Sequence, residues 1–369
     1  MKTVGVIGGG QLARMMIPAA INLGIQIKVF AEAEGSPAAL ATTHVGNYLN
    51  THEVKDFARD VDVITFDHEH VPTQVLEEAR KSGTLIAPSP EALTLTHNKI
   101  VMRQSLAKMG VPQPLWGVVE DVDSREEVIS RVGGFPCVAK KPVGGYDGKG
   151  VRIINSWGEI EDWLAEGAVL IEEKVPFTRE LALLSARRQG GEWVPWLPVE
   201  TRQVAGVCSE VIAPAPRMSE SMVQQAGELS QKISVALEIV GVLAVEVFQL
   251  DDDSLIVNEL AMRPHNSGHV FTELSVTSQF EQHLRAVADL PLGSTAFTSP
   301  AGVMVNLLGG IESDARDRAW EAVPEAKIHD YGKAPRPGRK VGHIVVVGSD
   351  AEKALARADY ARSLLTPRG

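Results

Sequence analysis

Near the N-terminus, "VGVIGGGQLARMM" runs from Val4 to Met16. An apolar run, a glycine cluster and a helix-forming stretch follow one another with no spare residue. That order suits a strand turning tightly into a helix, the opening unit of a parallel sheet covered by helices. Gly8, Gly10 and Ala13 satisfy the G-x-G-x-x-G/A spacing of a dinucleotide-binding turn. Glu32 and Glu34 lie near the end of the next apolar run, "IQIKVFAEAE", where a ribose-binding acid is expected. On these residues alone, an NAD-dependent oxidoreductase is one reading.

The alternation continues to about residue 90. "IQIKVFA", "VDVITF" and "TLIAP" are β-branched runs, and "QLARMMIPAAINLG" and "PTQVLEEARKSG" carry helical spacing that closes on glycine. "APSPEAL" breaks the pattern, and "HNKIVMRQSLAKMGVPQP" reads as a helix closed by Gly110 and Pro112. From Phe135 the texture changes. "FPCVAKKP", "VRIIN", "AVLIEEKV" and "ELALLSARR" are closely spaced strands with one helix-like stretch between them, which predicts an antiparallel sheet. A helix from about Ser219 to Glu238 opens a third unit. The hairpin "GVLAVEVFQLDDDSLIVNELAMR", a basic loop "YGKAPRPGRKVGHI" and a final helix follow.

Composition excludes several classes. The chain has 369 residues, 44% hydrophobic and 22% charged, ordinary for a globular protein. A net charge of −11 argues against a binder of nucleic-acid backbones. Cys137 and Cys208 form no C-x-x-C pair, so neither a disulfide framework nor a zinc site is suggested. No apolar run reaches the roughly 18–20 residues of a membrane span. The first residues enter a strand directly, without a signal-peptide pattern, and a cytoplasmic protein is expected.

Four stretches carry chemistry. In "KKPVGGYDGKG", Lys140 to Gly150, four glycines let backbone N–H groups approach an anion, and Lys140, Lys141 and Lys149 add charge. The spacing is not that of a P-loop. In the hairpin, a turn over "DDDS" that sets Leu250 against Leu255 places Glu246 opposite Glu259. Facing carboxylates repel, and a cation between them relieves the repulsion. Hard oxygen ligands suit Mg²⁺, which takes one or two carboxylates plus substrate phosphates; Asn258 could add an oxygen. "RPHNSGH", Arg263 to His269, crowds an arginine, two histidines, Asn266 and Ser267 just after the carboxylate strand. Arg263 suits bidentate anion binding. "KAPRPGRKVGH", Lys333 to His343, gathers five basic residues, a candidate phosphate pocket in an acidic protein.

A glycine loop with flanking lysines, then "EEKV", then a Glu/Asn-Glu pair on a hairpin resembles the ATP-grasp superfamily. Within it, "GGGQLARM", "GGYDGKG", "NELAMRPHNSGH" and "PGRKVGH" are similar to the 5-(carboxyamino)imidazole ribonucleotide synthetase family of purine biosynthesis, in the family's order from residue 4 to about 345. The formate-dependent glycinamide ribonucleotide formyltransferases share the ATP machinery but not typically the "HNSGH" and "GRKVGH" stretches, and rank second.

The resemblance implies an α/β and α+β chain: an ATP-grasp fold with an N-terminal Rossmann-like (pre-ATP-grasp) domain over 1–97, a central subdomain over 98–185 and a C-terminal domain over 186–369. It implies an ATP-dependent carbon–nitrogen ligase that carboxylates aminoimidazole ribonucleotide with bicarbonate, uses ATP and Mg²⁺, and forms a homodimer. Lys99, Lys140, the loop Gly145, Tyr146, Asp147, Gly148, Lys149, Gly150 and Val151, the adenine hinge Glu172, Glu173, Lys174 and Val175, then Glu180, Gln203, Asn258 and Glu259 would bind ATP. The hinge glutamates would lie near the ribose. Gln203 stands where a histidine is usual. Glu246, Glu259 and Asn258 would hold Mg²⁺. Tyr146, Asp147, Arg263, His265, Asn266 and Ser267 would meet the ribonucleotide and carbonate, with Asp147, Arg263, His265 and Asn266 catalytic. Asp147 or His265 would take the amine proton. Lys333, Arg339 and Lys340 would grip the 5′-phosphate. The first domain would not bind NAD; its glycine turn would help to enclose the ribonucleotide.

Overall fold

The computed structural model describes residues 2–144, 150–312 and 314–366. Strands β1 (Thr3–Ile7), β2 (Gln26–Ala31), β3 (Thr42–Val45), β4 (Val63–Phe66) and β5 (Leu85–Ile86) form a parallel sheet in the order β3-β2-β1-β4-β5. Helices α1 (Gln11–Leu23), α2 (Thr51–Arg59), α3 (Thr73–Arg80) and α4 (Pro90–His97) accompany them. α1 ends because Gly24 takes a left-handed φ of 65°, letting the Ile25 N–H reach back to the Ala20 carbonyl. "APSPEAL", read as a break, instead starts α4: the Ser89 side chain caps the Ala92 N–H and Pro90 occupies the first turn, where its missing N–H does no harm.

After α5 (Lys99–Lys108), a small antiparallel sheet is built from β6 (Trp116–Val119), β7 (Cys137–Lys140), β8 (Val151–Ile154) and β9 (Val169–Glu173), in the order β6-β9-β7-β8. α6 (Arg125–Arg131) and α7 (Glu161–Leu164) belong to this segment. Its core holds Val119, Val128, Cys137, Ala139, Ile154, Trp163 and Ile171.

The large sheet comprises β10 (Arg179–Arg187), β11 (Trp193–Pro195), β12 (Val199–Val204), β13 (Val207–Ala213), β14 (Gly241–Gln249), β15 (Leu255–Ala261), β16 (Ala301–Gly309), β17 (Lys327–Asp330) and β18 (Arg336–Gly348). The chain passes from the small sheet to the large one between Glu173 and Arg179. α8 (Glu220–Ala236) does not open a third unit, because the strands on both sides of it, β13 and β14, lie in this one sheet. α9 (Phe271–Leu274), α10 (Gln279–Val287), α11 (Ala315–Ala322) and α12 (Ala351–Leu365) complete the described elements.

β14 is apolar on both faces because both are covered. Leu243, Val245 and Val247 join Met102, Leu106, Leu229 and Ile233. Val242 and Ala244 join Trp196, Phe271 and Leu274. The parallel-sheet domain docks through α1 onto Phe280, Leu284 and Val287 of α10. His283 pins the junction: its Nδ1 accepts from the Val242 N–H at 3.0 Å, so its Nε2–H donates to Thr65 Oγ1 at 2.7 Å. Burial holds this imidazole at about 3, neutral under physiological conditions.

Two further expectations about local structure are corrected. "PRPGRKVGH" is not a loop: Arg336 to His343 lie on β18, paired irregularly with β16 around Leu308. Pro337 and Gly338 sit at the strand's start, where a missing N–H is tolerated. In the β14–β15 hairpin, Gln249 rather than Leu250 faces Leu255, and the turn closes between Leu250 N–H and the Ser254 carbonyl. Glu246 still lies opposite Glu259, because a β-bulge at Asn258 inserts one residue.

Candidate functional site

The site grows from the end of one sheet face. On β14 and β15, Ala244 and Ala261 are still core. Two residues along each strand on that face, Glu246 and Glu259 emerge opposite one another. Glu180 of β10, two residues on from the Ala182 that pairs with Glu246, extends the acidic cluster on that face, and it is hydrogen-bonded to Gln203 of β12. Burial, reinforced by the neighbouring charges of Glu259 and Glu180, pushes the Glu246 carboxyl up to about 7, against the opposing pull of Lys340 and Lys140. Burial likewise raises Glu180, with Gln203 opposing.

Cations approach this row from three elements. Lys99 begins α5 and places its Nζ 2.8 Å from Glu259 Oε1. Lys140, at the end of β7, contacts Glu172 Oε2 at 2.8 Å and donates to Asn258 Oδ1 at 3.0 Å. Lys340 comes from β18. The bulge serves this arrangement, since the Asn258 amide oxygen is turned to Lys140. The same bulge offers the Val257 and Asn258 carbonyls to Arg103, at 2.9 and 2.7 Å.

Arg103 is fully buried, and its Nε lies 2.6 Å from Glu172 Oε1. Burial alone would raise Glu172, but Lys140 and Arg103 outweigh it and hold the carboxyl at about 2. The Glu172 side chain is therefore ion-paired inside the protein, not turned toward a ribose as the hinge reading expects. Its backbone is paired on both sides, with Trp116 and Val138. β9 ends at Glu173, so Lys174 and Val175 run on beyond the sheet. Arg103 was missed in the sequence; its signal is an arginine beside the apolar Met102 and Leu106 positions of α5.

The "RPHNSGH" segment lines the other side. Arg263 Nε lies 2.7 Å from Glu69 Oε1, in the segment after β4. Burial works against the Arg263 charge, and Glu69, Asp67 and Glu259 more than offset it, raising its pKa. His265 Nδ1 accepts from Ser267, whose hydroxyl lies 2.8 Å away and whose N–H it caps. The proton is thereby placed on Nε2, which faces Glu246 Oε1 at 3.5 Å. Burial, then Arg263 and Lys340, depress His265 to about 3. Asn266 forms a reciprocal amide pair with Asn306 of β16. Below these loops, His343 stacks on His329 at 4.3 Å and on His269 at 4.7 Å, and Tyr331 Oη lies 2.8 Å from His343 Nδ1.

The β18 region meets the glycine turn. Lys333 Nζ donates to Gln11 Oε1, at the first residue of α1. Arg339 turns back onto the Ala334 carbonyl at 3.2 Å. The turn itself is filled by the protein. The Asp67 carboxylate accepts from the Ala13 N–H at 2.8 Å and crowds Gly10, and a Cβ at Gly8 would meet the His68 ring at 2.8 Å. Glu32, the expected ribose acid, accepts from the Gly9 N–H at 3.1 Å and meets His68 Nε2 at 2.9 Å. Its hydrogen bond with His68 outweighs burial and lowers it to about 2. A pyrophosphate would have to displace Asp67 from the helix N-terminus, so the fingerprint marks a fold and not an NAD site.

Of the expected site residues, Lys99, Lys140, Gln203, Glu180, Glu246, Asn258, Glu259, Arg263, His265 and Asn266 are connected through these contacts. Gly145, Tyr146, Asp147, Gly148 and Lys149 lie outside the described residues. Gly150, with φ 73°, and Val151 carry the far side of that loop into β8. Among the described residues, no three His, Cys, Asp or Glu side chains are grouped as a metal site. Two facing carboxylates, one of them raised to about 7 by burial and its acidic neighbours, nonetheless fit a hard cation that takes its remaining ligands from phosphate and water.

Comparison with known proteins identifies the family. Residues 1–97 match the ribonucleotide synthetase preATP-grasp domain, 104–280 the ATP-grasp domain, and 302–357 the phosphoribosylaminoimidazole carboxylase C-terminal domain. The N5-carboxyaminoimidazole ribonucleotide synthase of Mycobacterium tuberculosis is 44% identical over 98% of this chain and 87% of its own. That of Corynebacterium ammoniagenes is 41% identical over 99% and 92%. The N5-carboxyaminoimidazole ribonucleotide synthetase structure from Thermus thermophilus superposes with a TM-score of 0.90 at 34% identity, covering 99% of both chains. The Aspergillus clavatus enzyme with ADP and 5-aminoimidazole ribonucleotide gives 0.88 at 33% identity, covering 98% of both. With this identity along nearly the whole chain, and with carboxylates, lysines and basic strand assembled at one sheet end, the chain belongs to the N5-carboxyaminoimidazole ribonucleotide synthase family of ATP-grasp ligases.

Proposed function

We propose that this chain joins bicarbonate to the exocyclic amine of 5-aminoimidazole ribonucleotide, driven by ATP, in purine biosynthesis. The observation that carries the proposal is the facing pair Glu246–Glu259, set between Lys99 and Lys140 on one side and the Arg263–Asn266 segment on the other.

A bicarbonate oxygen attacks the γ-phosphorus of ATP, ADP leaves, and carboxyphosphate forms. The amine nitrogen then attacks the carboxyl carbon, phosphate leaves, and the nitrogen loses a proton. Phosphoryl transfer of this kind is mostly positioning and charge neutralisation. Lys140 is held by Glu172 and Asn258 at the mouth of the glycine loop, where it can meet the phosphates. Glu246 and Glu259 would hold Mg²⁺, whose chemistry is to neutralise phosphate charge. Arg263 is aimed by Glu69 and binds the bicarbonate. His265 carries its proton on Nε2 and has a depressed pKa, which suits a hydrogen-bond donor and makes it a poor base. Of the two residues named for the amine proton this favours Asp147, which lies outside the described residues. Lys333, Arg339 and Lys340 grip the 5′-phosphate. Loop closure over the site would exclude water from the labile intermediate.

A homodimer working in the cytoplasm completes the reading. The decisive assay is ADP release with aminoimidazole ribonucleotide, with and without bicarbonate. Turnover that requires both supports the proposal. Turnover with formate and glycinamide ribonucleotide instead would overturn it.

A further inference from the structure

Asn306 lies in the middle of β16, 1% exposed, and its amide makes three hydrogen bonds. Nδ2 donates to the Cys208 carbonyl at 2.8 Å and to Asn266 Oδ1 at 2.8 Å. Oδ1 accepts from Asn266 Nδ2 at 3.0 Å. The orientation is forced. A backbone carbonyl only accepts, so the end of Asn306 facing Cys208 is the NH₂ group. That leaves Oδ1 for Asn266, which must answer with its own Nδ2. Neither amide can flip without setting two oxygens against each other.

The pair uses one N–H and the carbonyl of Asn266. What remains on that side chain is its second N–H, the one donor it has left, beside one carbonyl lone pair. We infer that Asn306 is a positioning residue which fixes Asn266 as a hydrogen-bond donor toward an oxygen-bearing anionic reactant, the carbonate or its phosphorylated form. This rests on the carboxylation reading above. Asn266 follows His265, whose backbone N–H is anchored by Gln279 Oε1 at 2.9 Å, so the segment is tied at Asn266 and at the residue before it. On β16 itself, Asn306 is also the strand partner of His343, which puts the anchor between the two basic segments.

The role makes a prediction that a merely structural asparagine would not. Acting through Asn266, Asn306 has nothing left to contribute once Asn266 is gone. The experiment is a double-mutant cycle on the full chain with Asn266→Ala, Asn306→Ala and both, reading ADP release with bicarbonate and ribonucleotide varied in turn. Asn306→Ala should lower kcat roughly 10–100-fold, the scale of a misplaced reacting group. Its affinity for ATP, measured by calorimetry, should match the wild type. The double variant should be no slower than Asn266→Ala alone. Additive losses, or equal losses in ATP affinity and kcat, would overturn the inference. If Asn306→Ala does not fold, Asn306→Ser keeps a hydroxyl for the Cys208 carbonyl and replaces it in the cycle, with the same two outcomes. A wild-type protein without bicarbonate-dependent turnover would refute the carboxylation reading instead.

Discussion

Arg103 and Glu172 form an ion pair, 2.6 Å apart, that is closed to solvent on both sides. It ties α5 to β9, and through the Val257 and Asn258 carbonyls it ties both to the bulge that shapes the carboxylate row. Removing Arg103 leaves the buried Glu172 carboxylate with Lys140 alone and the Val257 and Asn258 carbonyls without their donor. Arg103→Met is expected to destabilise the protein by about 3–5 kcal/mol, read from urea unfolding at neutral pH. A loss under about 1 kcal/mol would show that the pair is not structural.

The same pair sets an acid limit. Glu172 is held at about 2, below its ordinary 4.5, so its stabilisation is full above the unfolded value and is lost as pH falls toward 2. Wild type should lose more stability between about pH 5 and pH 2 than Glu172→Gln does, by about 3 kcal/mol. Parallel pH profiles for the two proteins would contradict the assignment.

Glu246 behaves with the opposite sign. Its carboxyl is raised to about 7, so the ionised form opposes folding as pH climbs from 4.5 through 7 in the absence of divalent cations. Glu246→Gln should raise the Tm of cation-free protein at about pH 8 and leave it nearly unchanged near pH 4.5. Adding Mg²⁺ with ADP should raise the wild-type Tm more than that of the variant. Equal shifts in both proteins would remove Glu246 from the proposed Mg²⁺ ligands.

Arg263 and Arg339 should separate kinetically. Arg263→Ala should lower kcat roughly 100–1,000-fold, because an anion in a shielded site loses its charged donor. Glu69→Gln should repeat part of that loss, since Glu69 aims the guanidinium. Arg339→Ala should raise the KM for the ribonucleotide with little change in kcat, as expected of a grip kept in ground and transition states alike. An unchanged ribonucleotide KM would return Arg339 to the surface.

NADH should not compete with ATP. Asp67 holds the place at α1 that a pyrophosphate would need. Calorimetric titration should give heat with ATP and none with NADH.

Much of this was readable in the sequence, for reasons that differ by segment. The parallel-sheet domain was legible because strand and helix periods alternate with glycine stops, and Gly24 does what its position suggests. The carboxylate pair was legible for a reason that was half accidental: an assumed turn one residue out, cancelled by a bulge that no local pattern announces. The basic strand was misread because Pro337 and Gly338 signal a turn wherever they stand, and tertiary pairing with β16 overrode them. Arg103, Glu69 and Asn306 act through partners far away in sequence, Glu172, Arg263 and Asn266. No local pattern carries contacts of that range, and the resemblance did not reach these positions.

The bulge has a consequence for how such a hairpin can change. Deleting Asn258 would leave Glu259 in its slot opposite Glu246 and turn the hairpin into a regular ladder, with Leu255 to Val257 on their present faces. The two acids would stay opposed, while Lys140 would lose its amide and Arg103 one of its carbonyls. The facing of the two carboxylates and the placement of the Lys140 ammonium are thus separable by a single codon, and a lineage could gain or lose the second without disturbing the first.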